Sequence, residues 1–360
     1  MEALASVFFS SSDQNLPMTR ALRTCLILFL ALFSCAGGAN AQFVAAGALQ
    51  PKQLAIVIND DEPNSVAVGA YYRKRRNIPA ANVVHVRIPG KPRQISPERF
   101  AELKEKIDGK LGKDVQAVLM IWTAPYAVRC NSITAAYTLG YDAAQCENIC
   151  GASRPSPYFN STSSRPYTDL DMRLSMLLPT ESVQEAKALI DRGVASGFKL
   201  RPATAYYLTT SEKARNSRAT FFPPEGRFDS RKLVTRRLQA DALEGVNDVM
   251  IYQTGVARVD KLDTIRFLPG ALADHLTSLG GDLLGEGQMS ILRWLQAGAT
   301  ASYGTVSEPC NYWQKFPNPA VLLKHYVQGN TAIEAYWKSV AWPTQGVFVG
   351  EPLAAPYRRR

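Results

Sequence analysis

Between Thr264 and Tyr357 two short apolar runs each empty into a dense cluster of polar residues, and this alternation constrains the fold more than any other feature of the chain. Thr264-Ile-Arg-Phe-Leu268 reads as a strand opening into Pro269-Gly-Ala-Leu-Ala-Asp-His-Leu-Thr-Ser-Leu-Gly-Gly281. A helical pattern comes next, and Ala299-Thr-Ala-Ser-Tyr-Gly-Thr-Val306 then leads into Ser307-Glu-Pro-Cys310. Strand, polar loop, helix, strand, polar loop is the order of an α/β sheet. In such sheets ligands bind beyond the carboxyl ends of the strands, so the polar clusters are where function is sought.

The same alternation runs through the rest of the chain. Leu54–Ile58 reads as a buried strand ending in Asn59-Asp-Asp-Glu-Pro-Asn64, with Ser65 expected to cap a helix through Arg76. Strands are expected at Asn82–Ile88 and Val115–Trp122, with a helix between them that Ser96 opens and Pro97 begins. From Ala124 to Tyr167 the pattern dissolves into Pro, Ser, Asn, Tyr and Cys, and a loop of that length inside a compact domain is usually functional. Helices are expected at Glu181–Ser196, Lys232–Leu243 and Asn330–Val340, and strands at Ala205–Thr209, Val249–Tyr252 and Val347–Val349. No repeat, linker or low-complexity segment divides the chain. The expectation is one α/β domain with a mostly parallel sheet, helices on both faces, and a long disulfide-tied loop over the strand ends.

Residues 1–41 read as a leader: Met18-Thr-Arg-Ala-Leu-Arg23 is basic, Leu26–Phe33 is apolar, and Ala39-Asn40-Ala41 offers a cleavage site before Gln42. The apolar run falls short of the roughly 20 residues that span a bilayer, and no later segment approaches that length. This implies a periplasmic or secreted protein of residues 42–360 with no transmembrane segment. Leu32-Phe-Ser-Cys35 is the rival cut, which would leave a lipid anchor on Cys35. The leader's two arginines and two carboxylates cancel, so the mature chain keeps the net charge of +10. Its basic residues are dispersed apart from Arg73-Lys-Arg-Arg76, and no zinc-finger, helix-turn-helix or RNA-recognition pattern accompanies them, so no nucleic-acid partner is expected. The partner expected instead is an envelope protein or polysaccharide, and no cofactor is implied.

Cys130, Cys146, Cys150 and Cys310 remain after processing. Behind an export signal an even count points to as many as two disulfides, with Cys130 expected to pair with Cys146 or Cys150. A four-thiolate zinc site would need knuckle spacing that these residues lack.

His275 is the best acid–base candidate, lying between Asp274 and the hydroxyls of Thr277 and Ser278 just past a strand. The same segment can equally tie a loop to a helix start. Cys310, 35 residues further on, could form a nucleophile pair with His275 if it is not a half-cystine. Arg129, Asn131 and Ser132, with Arg215, Asn216 and Arg218, place guanidinium and amide groups after two strands, where they bind anions or sugar hydroxyls or else fix loops. Asn59, Asp60 and Glu308 complete the ligand-binding candidates. The run from Asn59 to Glu62 offers hard oxygens but no calcium-loop spacing, so no metal site is assigned. The expectation for the group as a whole is convergence: Asn59, Arg129, Asn131, His275, Ser278 and Glu308 should meet in one pocket.

Ile121–Thr134, Leu189-Ile-Asp-Arg-Gly193, Ala273–Gly281 and Gly298–Cys310 carry motifs that resemble a family of exported bacterial proteins found in genomes carrying exosortase, the envelope protein-sorting system. That resemblance covers the mature chain and implies a context without a reaction. A weaker one, from Val249 to Val349-Gly-Glu-Pro-Leu353, is to gingipain-like cysteine peptidases with a caspase-like sheet. There a His-Gly follows one strand and the nucleophilic cysteine the next. The comparable places here read Gln253-Thr-Gly255 and Pro269-Gly-Ala271, so neither member of the dyad is present. The two functions implied are an envelope binding or assembly factor, and a peptidase-like hydrolase with His275 as acid or base.

Overall fold

A computed structural model describes residues 48–358 apart from 198. The leader and both candidate cleavage sites therefore lie outside the described residues. Eleven strands form one sheet: β1 (Leu54–Asn59), β2 (Val83–Val86), β4 (Ala117–Ile121), β7 (Leu174–Leu177), β8 (Ala203–Thr209), β9 (Gly226–Phe228), β10 (Leu233–Gln239), β11 (Val249–Thr254), β12 (Phe267–His275), β13 (Ala301–Thr305) and β14 (Gly346–Gly350). The intervening β3 (Gln94–Ile95), β5 (Ala127–Val128) and β6 (Asn131–Ser132) make a separate small sheet. The helices in chain order are α1 (Pro63–Arg76), α2 (Pro97–Asp108), α3 (Ile133–Leu139), α4 (Ala143–Glu147), α5 (Pro166–Leu170), α6 (Val183–Ala195), α7 (Leu292–Gln296), α8 (Pro319–Val327) and α9 (Ala332–Ser339).

The spatial order is β2-β1-β4-β7-β14-β13-β12-β11-β8-β10-β9, and the β13–β14 and β9–β10 pairs are antiparallel. That places an antiparallel seam inside a mostly parallel sheet. β14 runs antiparallel to β13 and meets β7 at the Val349–Leu177 pair. Arg192, near the end of α6 and so at the amino end of β7, donates to the carbonyls of Leu295 and Ala299 just before β13. Glu351, just past β14, bonds Tyr72 and Arg76 at the end of α1. β13, β12, β11, β8 and β10 therefore run with β1, β2, β4 and β7, and β14 is the strand set against them. Tyr126, beyond β4, bonds Asp282, beyond β12, and Ser307, beyond β13, bonds the Cys130 carbonyl, so the loops leaving β4, β12 and β13 meet at one edge of the sheet.

Both faces of a parallel strand must be covered, which explains why β1 and β4 are apolar and buried along almost their whole length. Helices lie on both faces. At the end of β12, Asp274 meets Tyr336 of α9, while its neighbour His275, which alternation turns to the other face, meets Trp294 of α7.

Four local expectations are corrected. Lys232–Leu243 is strand β10 rather than a helix, because Leu233 and Thr235 bury one face against β8 while Arg236 and Arg237 stay in solvent. β12 does not stop at Leu268 but continues to His275. The pairing with β11 shifts register between Val249 and Ile251, and Gly270 at φ +91° supplies the conformation that passes Pro269-Gly270. Ser65 is not a cap: Pro63 begins the helix, and the buried Ser65 hydroxyl accepts from Asn59 N at 2.9 Å. The segment from Ala124 to Tyr167, read as one loop, contains α3, α4 and the start of α5. Its polar residues are used as caps, Ser132 for α3 and Asp142 for α4.

Candidate functional site at the strand ends

The polar clusters after β8, β11, β12 and β13 share one edge of the sheet. Beneath its surface lies a buried ion pair. Gln253 and Asp274 are register partners on adjacent strands, so their side chains share a face. Arg218, from the loop after β8, reaches over them. Its guanidinium binds Asp274 Oδ1 and donates to the carbonyls of Thr254 (2.9 Å), Asp274 (3.2 Å) and Pro317 (3.3 Å). Asp274 Oδ2 accepts from Gln253 Nε2 at 3.0 Å and from Tyr336 Oη at 3.3 Å. Both charged side chains are 1% exposed, so neither is available to a ligand in solvent. Burial raises the Asp274 pKa above the ordinary carboxylate value, against the opposing pull of Arg218 and of the hydrogen bonds from Gln253 and Tyr336.

His275 is sealed on the opposite face. Its Nδ1 accepts from the Trp294 indole N–H at 2.9 Å, which leaves Nε2 to carry the proton and donate to the Met289 carbonyl at 3.1 Å. Burial, with Arg218 and Arg215 adding positive charge nearby, pushes its pKa down to about 3, the Met289 carbonyl opposing. A neutral ring with both nitrogens occupied and no solvent path has no proton to exchange with a substrate. The acid–base role expected of His275 is therefore corrected, as is its pairing with Asp274: consecutive strand residues face opposite ways.

Cys310 is likewise withdrawn as a nucleophile, because it is bonded to Cys150. Cys130 pairs with Cys146, one of its two expected partners. The second bridge joins the end of the loop holding α4 to the loop after β13, across 160 residues of sequence.

The remaining residues of this edge bind one another. Arg215 donates to Thr277 Oγ1 at 3.3 Å and pairs with Glu212, whose other oxygen accepts from Ala257 N at 3.1 Å. Thr305 Oγ1 donates to the Ser278 carbonyl at 2.8 Å. Gly281 and Gly304 let two backbones touch: a Cβ on Gly281 would sit 2.5 Å from the Gly304 carbonyl oxygen. Glu308 accepts from Cys310 N at 2.8 Å, while Gln345 donates to the Glu308 carbonyl and to Ser307 Oγ. Ser307 donates in turn to the Cys130 carbonyl at 2.7 Å, drawing the loop of Arg129, Asn131 and Ser132 onto this edge.

Within that loop Asn131 and Ser132 fix the chain. Asn131 exchanges two hydrogen bonds of 2.9 Å with the backbone of Asp142, and Ser132 accepts from Ala135 N to cap α3. Arg129 is exposed, at φ +52°, and lines a concavity of about 440 Å³ with Gln94, Ser96 and the Cys130–Cys146 bridge.

Asn59 and Asp60 lie at the carboxyl end of β1. Asn59 binds both backbone groups of Ile88, at 3.2 and 2.9 Å. Asp60 pairs with His85 at 2.6 Å, Asp61 with Arg87 at 3.2 Å, and Glu62 accepts from Thr180. These carboxylates thus turn to separate partners, and the expected convergence of Asn59 with the other five residues does not occur.

Aromatic groups of this edge stand outside the residues expected from sequence. Tyr312 and Trp313 follow Cys310, and their rings approach those of Trp342 (5.7 Å between centroids) and Phe221 (4.5 Å). Polar composition drew attention away from them, although Tyr312-Trp313 adjoining a cysteine in a polar loop was a usable signal. Trp294, which occupies His275, carried none, because only the fold brings α7 under β12.

No family model matches the sequence, and no curated protein aligns with it. Among solved structures the chain is similar to the Arg-specific cysteine proteinase gingipain R (RgpB), at 11% identity over 86% of this chain and 79% of that one, with a TM-score of 0.41. It is similar to a structure described only as a protease, at 9% identity, the same coverages and a TM-score of 0.41. A third similarity is to the complex of Porphyromonas gingivalis RgpB pro- and mature domains, at 10% identity over 84% and 79%, with a TM-score of 0.37.

Proposed function

We propose that the chain is an exported, envelope-associated binding or assembly factor that works by recognition at the loops leaving β8, β11, β12 and β13. The observation that supports this reading is that the groups able to do covalent or proton-transfer chemistry at that edge are already engaged. His275 is closed between Trp294 and Met289, Cys310 is bridged to Cys150, and Asp274 is bound to Arg218. What remains at the surface is a rigid set of loops held by two disulfides and a chain of side-chain to backbone bonds. Such a scaffold holds a recognition surface at low entropic cost. In this reading residues 42–360 form the working domain after cleavage behind Ala41, and the motifs around Ala273–Gly281 and Gly298–Cys310 link it to exosortase-type protein sorting. A photo-crosslinking side chain at position 278, in exporting cells, should trap an envelope macromolecule of unchanged mass. Recovery of a cleaved partner, or of an acyl or glycosyl adduct formed in the dark, would contradict the proposal.

A further inference from the structure

The four aromatic residues at the strand-end edge form a surface that the hydrogen-bonded loops do not account for. Tyr312 is 42% exposed and Ile149 37% exposed. The two are held together: Cys150 is bonded to Cys310, and buried Lys315 donates to the Ile149 carbonyl at 2.8 Å with its ammonium 5.6 Å from the Tyr312 ring centre. Trp342 and Phe221, from distant parts of the chain, stand beside Tyr312 and Trp313 at tilts of 52° and 45°. All four are partly exposed rather than sunk in the core. The rim is polar. Asn311 sits at φ +59° between the bridge and Tyr312, and Gln314, itself half-buried, has a backbone carbonyl that accepts from Trp342 N at 2.8 Å and a buried side-chain oxygen without a hydrogen-bond partner among the described residues.

We infer that the Tyr312–Trp342 and Phe221–Trp313 rings, rimmed by Asn311 and Gln314, are a platform for a neutral pyranose polysaccharide. This deepens the recognition reading and rests on it. Pyranose rings present C–H faces that lie on aromatic rings and equatorial hydroxyls that need amide and carboxylate partners at the rim. An apolar protein partner would instead call for an aliphatic groove, and Ile149 is the one exposed large aliphatic residue tied to the cluster. Rings fixed by a disulfide lose little freedom on binding, and aromatic anchors of this kind dominate binding energies.

The test is affinity electrophoresis of the disulfide-intact protein in native gels containing hydroxyethyl cellulose or galactomannan, neutral so that the basic charge of the chain does not itself retard it. Retardation is expected, with an apparent Kd weakened about tenfold or more by Tyr312→Ala or Trp342→Ala. Phe228→Ala, at an exposed ring on β9 at the far edge of the sheet, should leave it unchanged, and the far-ultraviolet spectrum of each variant checks folding. In parallel, tryptophan fluorescence is titrated with envelope extract of the host. A response destroyed by periodate and resistant to proteinase supports the platform; one destroyed by proteinase and resistant to periodate assigns the rings to a protein partner and overturns it. Absence of retardation, or retardation that Tyr312→Ala does not change, also overturns it while leaving the recognition reading intact. New reducing ends in the polymer would reverse that outcome: the platform would stand and the non-catalytic reading would fall.

Discussion

Replacing Arg218 by methionine should remove the cation that holds Asp274 charged in the interior, with a pH signature that identifies the cause. Both side chains are 1% exposed, and Arg218 also donates to three carbonyls. Breaking a buried pair from one side costs about 3–5 kcal/mol, a large part of the ~5–15 kcal/mol that stabilises a typical domain. Asp274 has one escape, which is to take a proton. Burial already raises its pKa in the presence of Arg218, and without Arg218 it must rise further. A carboxyl whose folded pKa exceeds its unfolded value binds more protons in the native state, so stability falls as pH rises from about 4 to the folded pKa, by about 1.4 kcal/mol per unit. Arg218→Met should therefore lose the full amount at pH 7.5 and distinctly less at pH 5. The double variant Arg218→Met/Asp274→Leu should lose less than the two single losses combined, since no charge is left unpaired. Urea unfolding followed by tryptophan fluorescence, with disulfides intact, measures each quantity. A loss below about 1 kcal/mol at pH 7.5, or one identical at both pH values, would refute the assignment of this pair as a buried, mutually dependent clamp.

Other properties of the chain can be checked in the same way. His275 and His325 are both pushed down to about 3 by burial, so the unfolded chain takes protons that the native chain refuses. Unfolding free energy should hold above pH 6.5 and fall below it towards pH 3, by about 1.4 kcal/mol per unit for each histidine, and His275→Gln should remove half of that slope between pH 6 and 5. Thiol titration of unfolded, unreduced mature protein should find none of Cys130, Cys146, Cys150 and Cys310 free; two free thiols would dismantle the framework that ties the long loop to the sheet. Mass spectrometry of protein recovered from an exporting host should place the mature terminus at Gln42 without lipid, whereas a diacylated Cys35 would show the rival cut.

Much of the fold was legible because a buried parallel strand has a distinctive composition: Leu54–Ile58 and Val115–Trp122 could hardly be anything else once their length and apolar continuity are weighed. β10 was not legible, since Lys232–Leu243 carries as much helix-forming character as strand character and only its place beside β8 decides. Nor could any local pattern reveal that β14 runs antiparallel to β13. Strand direction depends on which neighbour a strand chooses, and Val347–Val349 has no residue that encodes the choice. Asn59 and Asp60 were engaged elsewhere for a reason equally invisible in sequence, since Asn59 is held by the Ile88 backbone and Asp60 by His85. Arg215 to Arg218, Asp274 to Ser278 and Ser307 to Cys310 were legible as polar segments leaving strands, while the partners of their side chains were not. Residue type says what a histidine or an aspartate can do, while burial and alternation decide what it does, and here they turned Asp274 to Arg218 and His275 to Trp294.

Whether the strand-end edge recognises without exchanging protons is tested most directly at the His275 imidazole. In nitrogen-15 histidine spectra of the disulfide-intact protein, with His275→Gln supplying the assignment, the ring should show a protonated Nε2 and a bare, hydrogen-bonded Nδ1. Those shifts should stay constant from pH 8 to pH 5, because the Trp294 donor and the buried setting keep the ring neutral. A ring that titrates near neutrality, or that exchanges its proton freely with solvent, would expose a working acid–base group at the end of β12 and contradict the account.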